Sequence, residues 1–285
     1  MIFKINTLSL YCGLKIGFRK MSAKNSNSLL VTAAALCAAL YATGCYATAY
    51  IPSPWGFGQF RPAVVIPALF GIVFGPIPSA LGAAMGTLIA DSAKHGSLHM
   101  GSLIAAVPGN FVGFYIFGQI LKKKFSWGRF ITASLTTLVL GNAIVAFFYV
   151  FFYRALFLQA LPFSVEALTM VSFGLTIYWF ATMLPFMLLA TPLLLRLVTI
   201  AMPGIVSEEI RASCLKTELP KRSFLLATVI PGALLLLLGL ATSLTPLKDF
   251  TMNAARLSST LLIELTYYCT GLVLTVMGVA VQIKK

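Results

Sequence analysis

Eight apolar runs fill most of this chain, and very little charge interrupts them. They are Leu29–Tyr50, Pro62–Phe74, Ser79–Ala90, Leu103–Leu121, Phe130–Tyr153, Ala167–Met202, Phe224–Leu244 and Leu257–Ile283. Of 285 residues, 59% are hydrophobic and 10% are charged. A soluble surface needs roughly a quarter charged residues. A mean hydropathy of +0.93 points the same way. A helix rises about 1.5 Å per residue, so roughly 20 apolar residues cross a bilayer core. The pattern predicts an all-α fold, a polytopic transmembrane helical bundle, and excludes a soluble enzyme. No GxxxxGK[ST] loop occurs in the sequence, which excludes nucleotide hydrolysis by a P-loop in this chain.

The charge distribution sets the topology. There are 21 basic and 7 acidic residues, a formal net charge of +14. The basic residues collect at the ends of apolar runs, which is a topology signal beside anionic lipid rather than a nucleic-acid surface. The second and third runs are short and are separated by Gly75-Pro76-Ile77-Pro78, so they read either as a hairpin of two spans or as one broken span. With a cytoplasmic N-terminus, the hairpin places sixteen basic residues inside, Lys122, Lys123, Lys124 and Arg129 among them. It leaves five outside: Arg61, Lys94, Arg154, Lys248 and Arg256. The broken span gives nine inside and twelve outside. The positive-inside rule favours the hairpin, hence eight spans in the plasma membrane with both termini cytoplasmic.

Residues 1–28 form a cytoplasmic lead without the small-residue cleavage site of a signal peptide. Its first 20 residues read either as an interfacial segment or as sequence ahead of a start at Met21. Residues 29–202 form a six-span core, 203–223 a polar cytoplasmic linker, and 224–285 a two-span extension. The five cysteines are an odd number with no CxxC pair, and read as small packing residues.

In the first span, Ala34, Ala38 and Ala42 recur every four residues, as do Ala35, Ala39 and Thr43. Such small-xxx-small strips allow close helix approach in lipid, either inside the bundle or against another subunit. The first outer loop, Ile51–Arg61, carries Trp55, Phe57 and Phe60. These rings read as an interfacial belt or as a lid stacked on a flat ligand. Asp91, His95 and His99 are spaced four apart in the second outer loop. Three readings stand for them: loop polarity, hydrogen bonding to a small solute, or a metal site. Asn110 and Asn142 fall inside spans, where an amide needs a partner. Arg154 and Glu166 flank the third outer loop and are placed to pair. Glu264 falls inside the eighth run, with Arg256 about two turns earlier as a partner; an ionisable group there is a functional candidate. No serine–histidine pair sits in separate spans and no GxGD motif occurs, so an embedded protease is not expected.

An alanine-rich first helix is followed by Arg61-Pro62 and by a short span ending Leu69-Phe70-Gly71-Ile72-Val73-Phe74-Gly75-Pro76. A small-residue span with Gly82 and Gly86 then ends at Asp91. Over roughly residues 29–200 this resembles the S component of an energy-coupling factor (ECF) transporter. The resemblance implies a membrane subunit that captures a vitamin or related micronutrient at the outer face. It implies partners: a transmembrane T component and two cytoplasmic ATPases, which drive toppling of the S component. No cofactor or metal is implied, since the metal-specific branch uses an N-terminal histidine that this chain lacks. Carried onto this sequence, the docking residues are Ala34, Ala35, Ala38, Ala39 and Ala42, and the solute residues are Trp55, Arg61, Asp91, His95 and Asn110. The two C-terminal spans depart from the usual six. The competing expectation is an ion-coupled secondary transporter.

Overall fold

The computed structural model describes residues 27–56, 58–160, 164–216, 219–255 and 258–283. Residues 1–26 of the N-terminal lead, Phe57 and Arg256 lie outside the described residues, and with them the readings that rested on these positions.

Among the described residues ten α-helices form an all-α bundle, and six helical segments, two of them including a π-helical stretch, are long and apolar enough to cross a membrane. α1 spans Asn27–Ala47. After a loop and a 3-10 turn at Pro62–Val64, α2 covers Val65–Val73. At roughly 14 Å, α2 is too short to cross a bilayer core alone. Gly75 reverses the chain at φ +90°, a conformation that favours glycine, and Pro76 opens α3, Pro76–His95. The Ser79 hydroxyl donates to the Pro67 carbonyl at 2.6 Å, twelve residues back across that turn. On one continuous helix those residues would lie about 18 Å apart, so the two runs form a hairpin.

α3 outlasts its apolar run and reaches His95, with Gly96 in the left-handed conformation closing its end. Asp91 and His95 therefore stand on a helix rather than in a loop. A π-helical turn at Ser102–Ala106 leads into α4, Val107–Lys122. α5, Trp127–Phe147, also ends in a π-helical segment, Phe148–Phe157. α6 runs unbroken from Val165 to Ala201 through Pro185 and Pro192. Its 37 residues amount to about 55 Å, longer than a bilayer core.

The core is built on close approach. α1 packs on α3, α3 on α4, α4 on α5 and α5 on α6, while α2 fills the space between α3, α4 and α6. A Cβ on Gly82 would fall on the Cys37 side chain, and one on Gly118 would fall on the Pro76 backbone. Buried hydroxyls are satisfied locally: Ser134, Ser172, Thr182 and Thr199 each donate to the carbonyl four residues back. That is what a medium without water requires.

The α1–α3 contact splits the alanine strips. Ala38 and Ala42 are buried, while Ala35 and Ala39 are exposed and Ala34 is half-buried. Ala38 and Ala42 pack inside the bundle, and of the five alanines read as docking residues Ala35 and Ala39 are the exposed ones.

The polar stretch after α6 is also a packed element. α7, Glu208–Lys216, buries Ile210 and Cys214, and its Glu209 carboxylate accepts the Phe125 amide at 3.2 Å. The Trp127 indole donates to the Ser213 carbonyl at 3.2 Å. α8, Lys221–Leu244, and α10, Leu261–Ile283, form a hairpin with the short α9, Leu247–Ala255, between them. Gly232, Gly239, Gly271 and Gly278 bring α8 and α10 together. The hairpin rests on α5 and α6, away from α1. Glu264 lies in the first turn of α10, where it accepts from Thr260 at 2.6 Å. A carboxylate at a helix start is favoured by the dipole, so it is not the deeply embedded acid that the apolar run suggested.

Candidate functional site

A cavity of about 270 Å³ opens at the end of the bundle opposite the Lys122–Lys124 turn. Its wall comes from the loop after α1, the end of α3, both π-helical segments, α4, α5 and α6. A π-helical turn widens the helix and shifts which side chains face inward, and such turns recur at functional sites. Here Ser102 and Ala106 come from one, and Tyr149 and Arg154 from the other.

One ion pair organises the wall. The Arg61 guanidinium donates through Nη2 to both Asp91 oxygens, at 2.7 and 2.8 Å, and through Nη1 to Thr87 at 3.1 Å. Gln59 Nε2 donates to Asp91 Oδ1 at 3.1 Å, and the Ser102 hydroxyl bonds to Asp91 Oδ2. Both charged side chains are about nine-tenths buried. Burial alone would lower the Arg61 pKa; the Asp91 carboxylate more than offsets this and holds it above its ordinary value. The pair ties the first loop to α3 and the π-helical start of α4.

The loop folds back as a lid. Pro52 and Gln59 pair as an antiparallel bridge, and the Phe60 amide donates to Ile51 O at 2.9 Å. Gly58, at φ +77°, lies on the Trp179 ring, where a Cβ would come within 2.7 Å. The Trp179 indole donates to Gln59 O at 3.0 Å. Trp55 is buried against Gly174 of α6 and is not part of the cavity wall. Trp55 holds the loop on α6, and the indole on the cavity wall is that of Trp179, which its apolar run had disguised as core.

The other four expected solute residues, Arg61, Asp91, His95 and Asn110, all line the cavity. Arg61 and Asp91 are committed largely to each other. Asn110 Nδ2 donates to Thr87 at 2.8 Å, and Asn142 Nδ2 approaches the Met183 sulfur at 3.7 Å. Both amide carbonyls accept no hydrogen bond among the described residues. They stand beside Trp179, Val145 and Met183, a lining suited to the edge and faces of a flat polar heterocycle.

At the mouth the His95 and His99 rings stack at 4.2 Å with 19° between their planes. His95 Nδ1 donates to Asp91 O at 2.7 Å, while His99 Nδ1 accepts the Ser102 amide at 3.1 Å. Burial lowers the His99 pKa; His95, Arg61 and Lys94 lower it further, against an opposing pull from Asp91. The Asp91 carboxylate is taken up by Arg61, Gln59 and Ser102. Among the described residues no three His, Cys, Asp or Glu side chains converge on a metal position. Lys94 Nζ donates to Ala49 O at 2.6 Å and to Gln59 Oε1 at 3.4 Å. Arg154 lines the cavity and also a shallower vestibule of about 450 Å³ outside it. Spacing along the chain flagged His99, Asn142 and Arg154 as polar, but only the fold joins them in one wall.

A bundle of apolar helices with a small polar cavity at one end, closed by a pinned loop, defines a solute-binding membrane protein. A family model for the S component of ECF-type riboflavin transporters matches residues 25–199. The chain belongs to this family, a family of membrane substrate-binding subunits that work with a T component and ATPases. The match ends within α6, so α7 to α10 lie beyond it. No curated protein and no solved structure matches the chain.

Proposed function

We propose that this chain is the substrate-binding subunit of an ECF-type importer, taking up riboflavin or a closely related flat heterocyclic vitamin. The observation that carries the reading is the cavity walled by Trp179, Asn110 and Asn142 at the end away from the Lys122–Lys124 turn. The positive-inside rule makes that end the outer one, with both termini in the cytoplasm and the protein in the plasma membrane. The family's description names riboflavin, and a flavin offers what this lining asks for. Its ring edge has donors and acceptors for the two amides, and its faces suit the indole.

Energy arrives from partners. The exposed strip Ala35, Ala39 and Thr43 of α1 supports docking of a T component, which would carry two ATPases on the cytoplasmic side. The extension rests on α5 and α6 and leaves that strip open. Purified protein titrated with riboflavin tests the solute. Flavin fluorescence should be quenched saturably, and Asn110→Leu with Asn142→Leu should abolish quenching. Unquenched fluorescence at saturating flavin would exclude a flavin as the solute.

A further inference from the structure

Buried hydroxyls of the spans mostly donate to the carbonyl four residues back, and Thr87 of α3 does not. It is fully buried, and its oxygen receives two side-chain donors instead, Arg61 Nη1 at 3.1 Å and Asn110 Nδ2 at 2.8 Å. A hydroxyl has two lone pairs and one proton, and a guanidinium can only donate. With both lone pairs taken, the Thr87 proton has to leave toward a third group. That group is the Tyr41 hydroxyl of α1, which hydrogen-bonds to Thr87 and to the Cys45 thiol. Tyr41 is itself fully buried, its ring held so close to α3 that a Cβ on Gly86 would come within 3.0 Å of it.

These bonds run in one direction. Asn110 and Arg61 donate to Thr87, Thr87 to Tyr41, and Tyr41 to the Cys45 sulfur. An Asn110 amide rotated by half a turn would bring its carbonyl to Thr87 and need a proton that Tyr41 already takes. Two acceptors would then face each other in a buried place, which is costly. The amide is therefore held with its nitrogen on Thr87 and its carbonyl left for the cavity that it lines. Thr87 and Tyr41 stand behind that wall and line none of the cavity. The same Thr87 hydroxyl also holds Arg61, at the end of the loop that closes the cavity. A carbonyl fixed in this way accepts a donor on the solute and disfavours an edge with acceptors alone, because its own bond would go unmade.

We propose that Thr87 is a positioning residue for solute capture: it fixes Asn110 as a hydrogen-bond acceptor, so that the site selects a solute with an N–H or O–H donor on the edge that meets it. Tyr41 completes the arrangement by taking the Thr87 proton. This rests on the flavin reading above and deepens it: neither residue touches the solute, yet together they set which edge the solute presents.

The test is a double-variant cycle on the purified full chain, with riboflavin affinity read by fluorescence quenching. Thr87→Val, close in shape but without the hydroxyl, should weaken binding by about tenfold. In an Asn110→Leu background the same change should matter by less than about twofold, because its effect passes through that amide. Thr87→Ser keeps the hydroxyl and should bind within about threefold of the wild type. Tyr41→Phe leaves the cavity wall untouched and should also weaken binding in the native background but not in Asn110→Leu; it decides the matter if Thr87→Val fails to fold. Wild-type affinity in Thr87→Val, or in Tyr41→Phe where that variant decides, overturns the positioning role and leaves the flavin reading intact. An equal loss in both backgrounds also overturns it, since a loosened bundle rather than an oriented amide would then be the cause. No quenching by the wild type overturns the flavin reading and this role with it.

Discussion

Replacing Asp91 with alanine strands a buried cation. In the native wall the Asp91 carboxylate accepts from Arg61 twice, from Gln59 and from Ser102. Without it, the guanidinium keeps only the Thr87 hydroxyl at 3.1 Å. Removing one partner of a buried pair costs about 3–5 kcal/mol. A chain of this length loses roughly 2 °C of midpoint per kcal/mol, so the thermal midpoint should drop by about 6–10 °C. Removing both charges is a different matter, since a buried pair replaced by apolar side chains is close to neutral. Arg61→Met combined with Asp91→Leu should recover about half of the loss, the remainder reflecting the unpaired Gln59 and Ser102. The assay is intrinsic tryptophan fluorescence during heating, in detergent, for the wild type, both single variants and the double variant. An Asp91→Ala midpoint within about 2 °C of wild type would refute the reasoning. So would a double variant no more stable than Asp91→Ala.

Three further outcomes follow from the packing and the mouth of the cavity. Gly118→Leu drives a side chain into the Pro76 backbone and should cost about 1–3 kcal/mol or more, read as a lower midpoint and poorer yield from the membrane. Ala39→Trp, on the exposed side of α1, should abolish co-purification of a T component and ATPases while leaving the midpoint and flavin binding intact. Ala38→Trp, on the buried side, should lower the midpoint first, and the reverse ranking of these two variants would mean the exposed strip is not the docking face. The His99 pKa is held below its ordinary 6.5 by burial and by His95, Arg61 and Lys94, against Asp91. The unfolded chain then binds the proton first, so the unliganded protein should lose stability as pH falls below 6.5. His99→Gln should remove that dependence in midpoints measured from pH 8 to 5, and an equally steep curve in the variant would assign the effect elsewhere.

Much of the bundle could be read from residue types alone. Apolar run length gives the spans, and basic residues at run ends give the hairpin at Gly75. The extent of α3 was hidden because Asp91, Lys94 and His95 look like loop residues until the Arg61 pair and the Gly96 cap hold them on a helix. The packing of the first helix was half legible. A four-residue spacing shows that Ala34, Ala38 and Ala42 share one face and Ala35 and Ala39 the next, but only the position of α3 decides which is covered. The same limit explains the two indoles. Trp55 sits in a polar loop and Trp179 in an apolar run, yet Gly174 offers Trp55 a buried seat and the lid turns Trp179 to the cavity. The π-helical turns carry no sequence signature, and they bring Ser102 and Arg154 into the wall.

The central claim is that this chain captures a solute but draws its driving energy from other polypeptides. The most direct measurement is uptake of labelled flavin into proteoliposomes, with the purified chain alone and with its T component and ATPases. The account predicts binding without accumulation by the chain alone, under proton and sodium gradients alike, and accumulation with the full assembly only when ATP is supplied. Accumulation by the single chain driven by an ion gradient would contradict it.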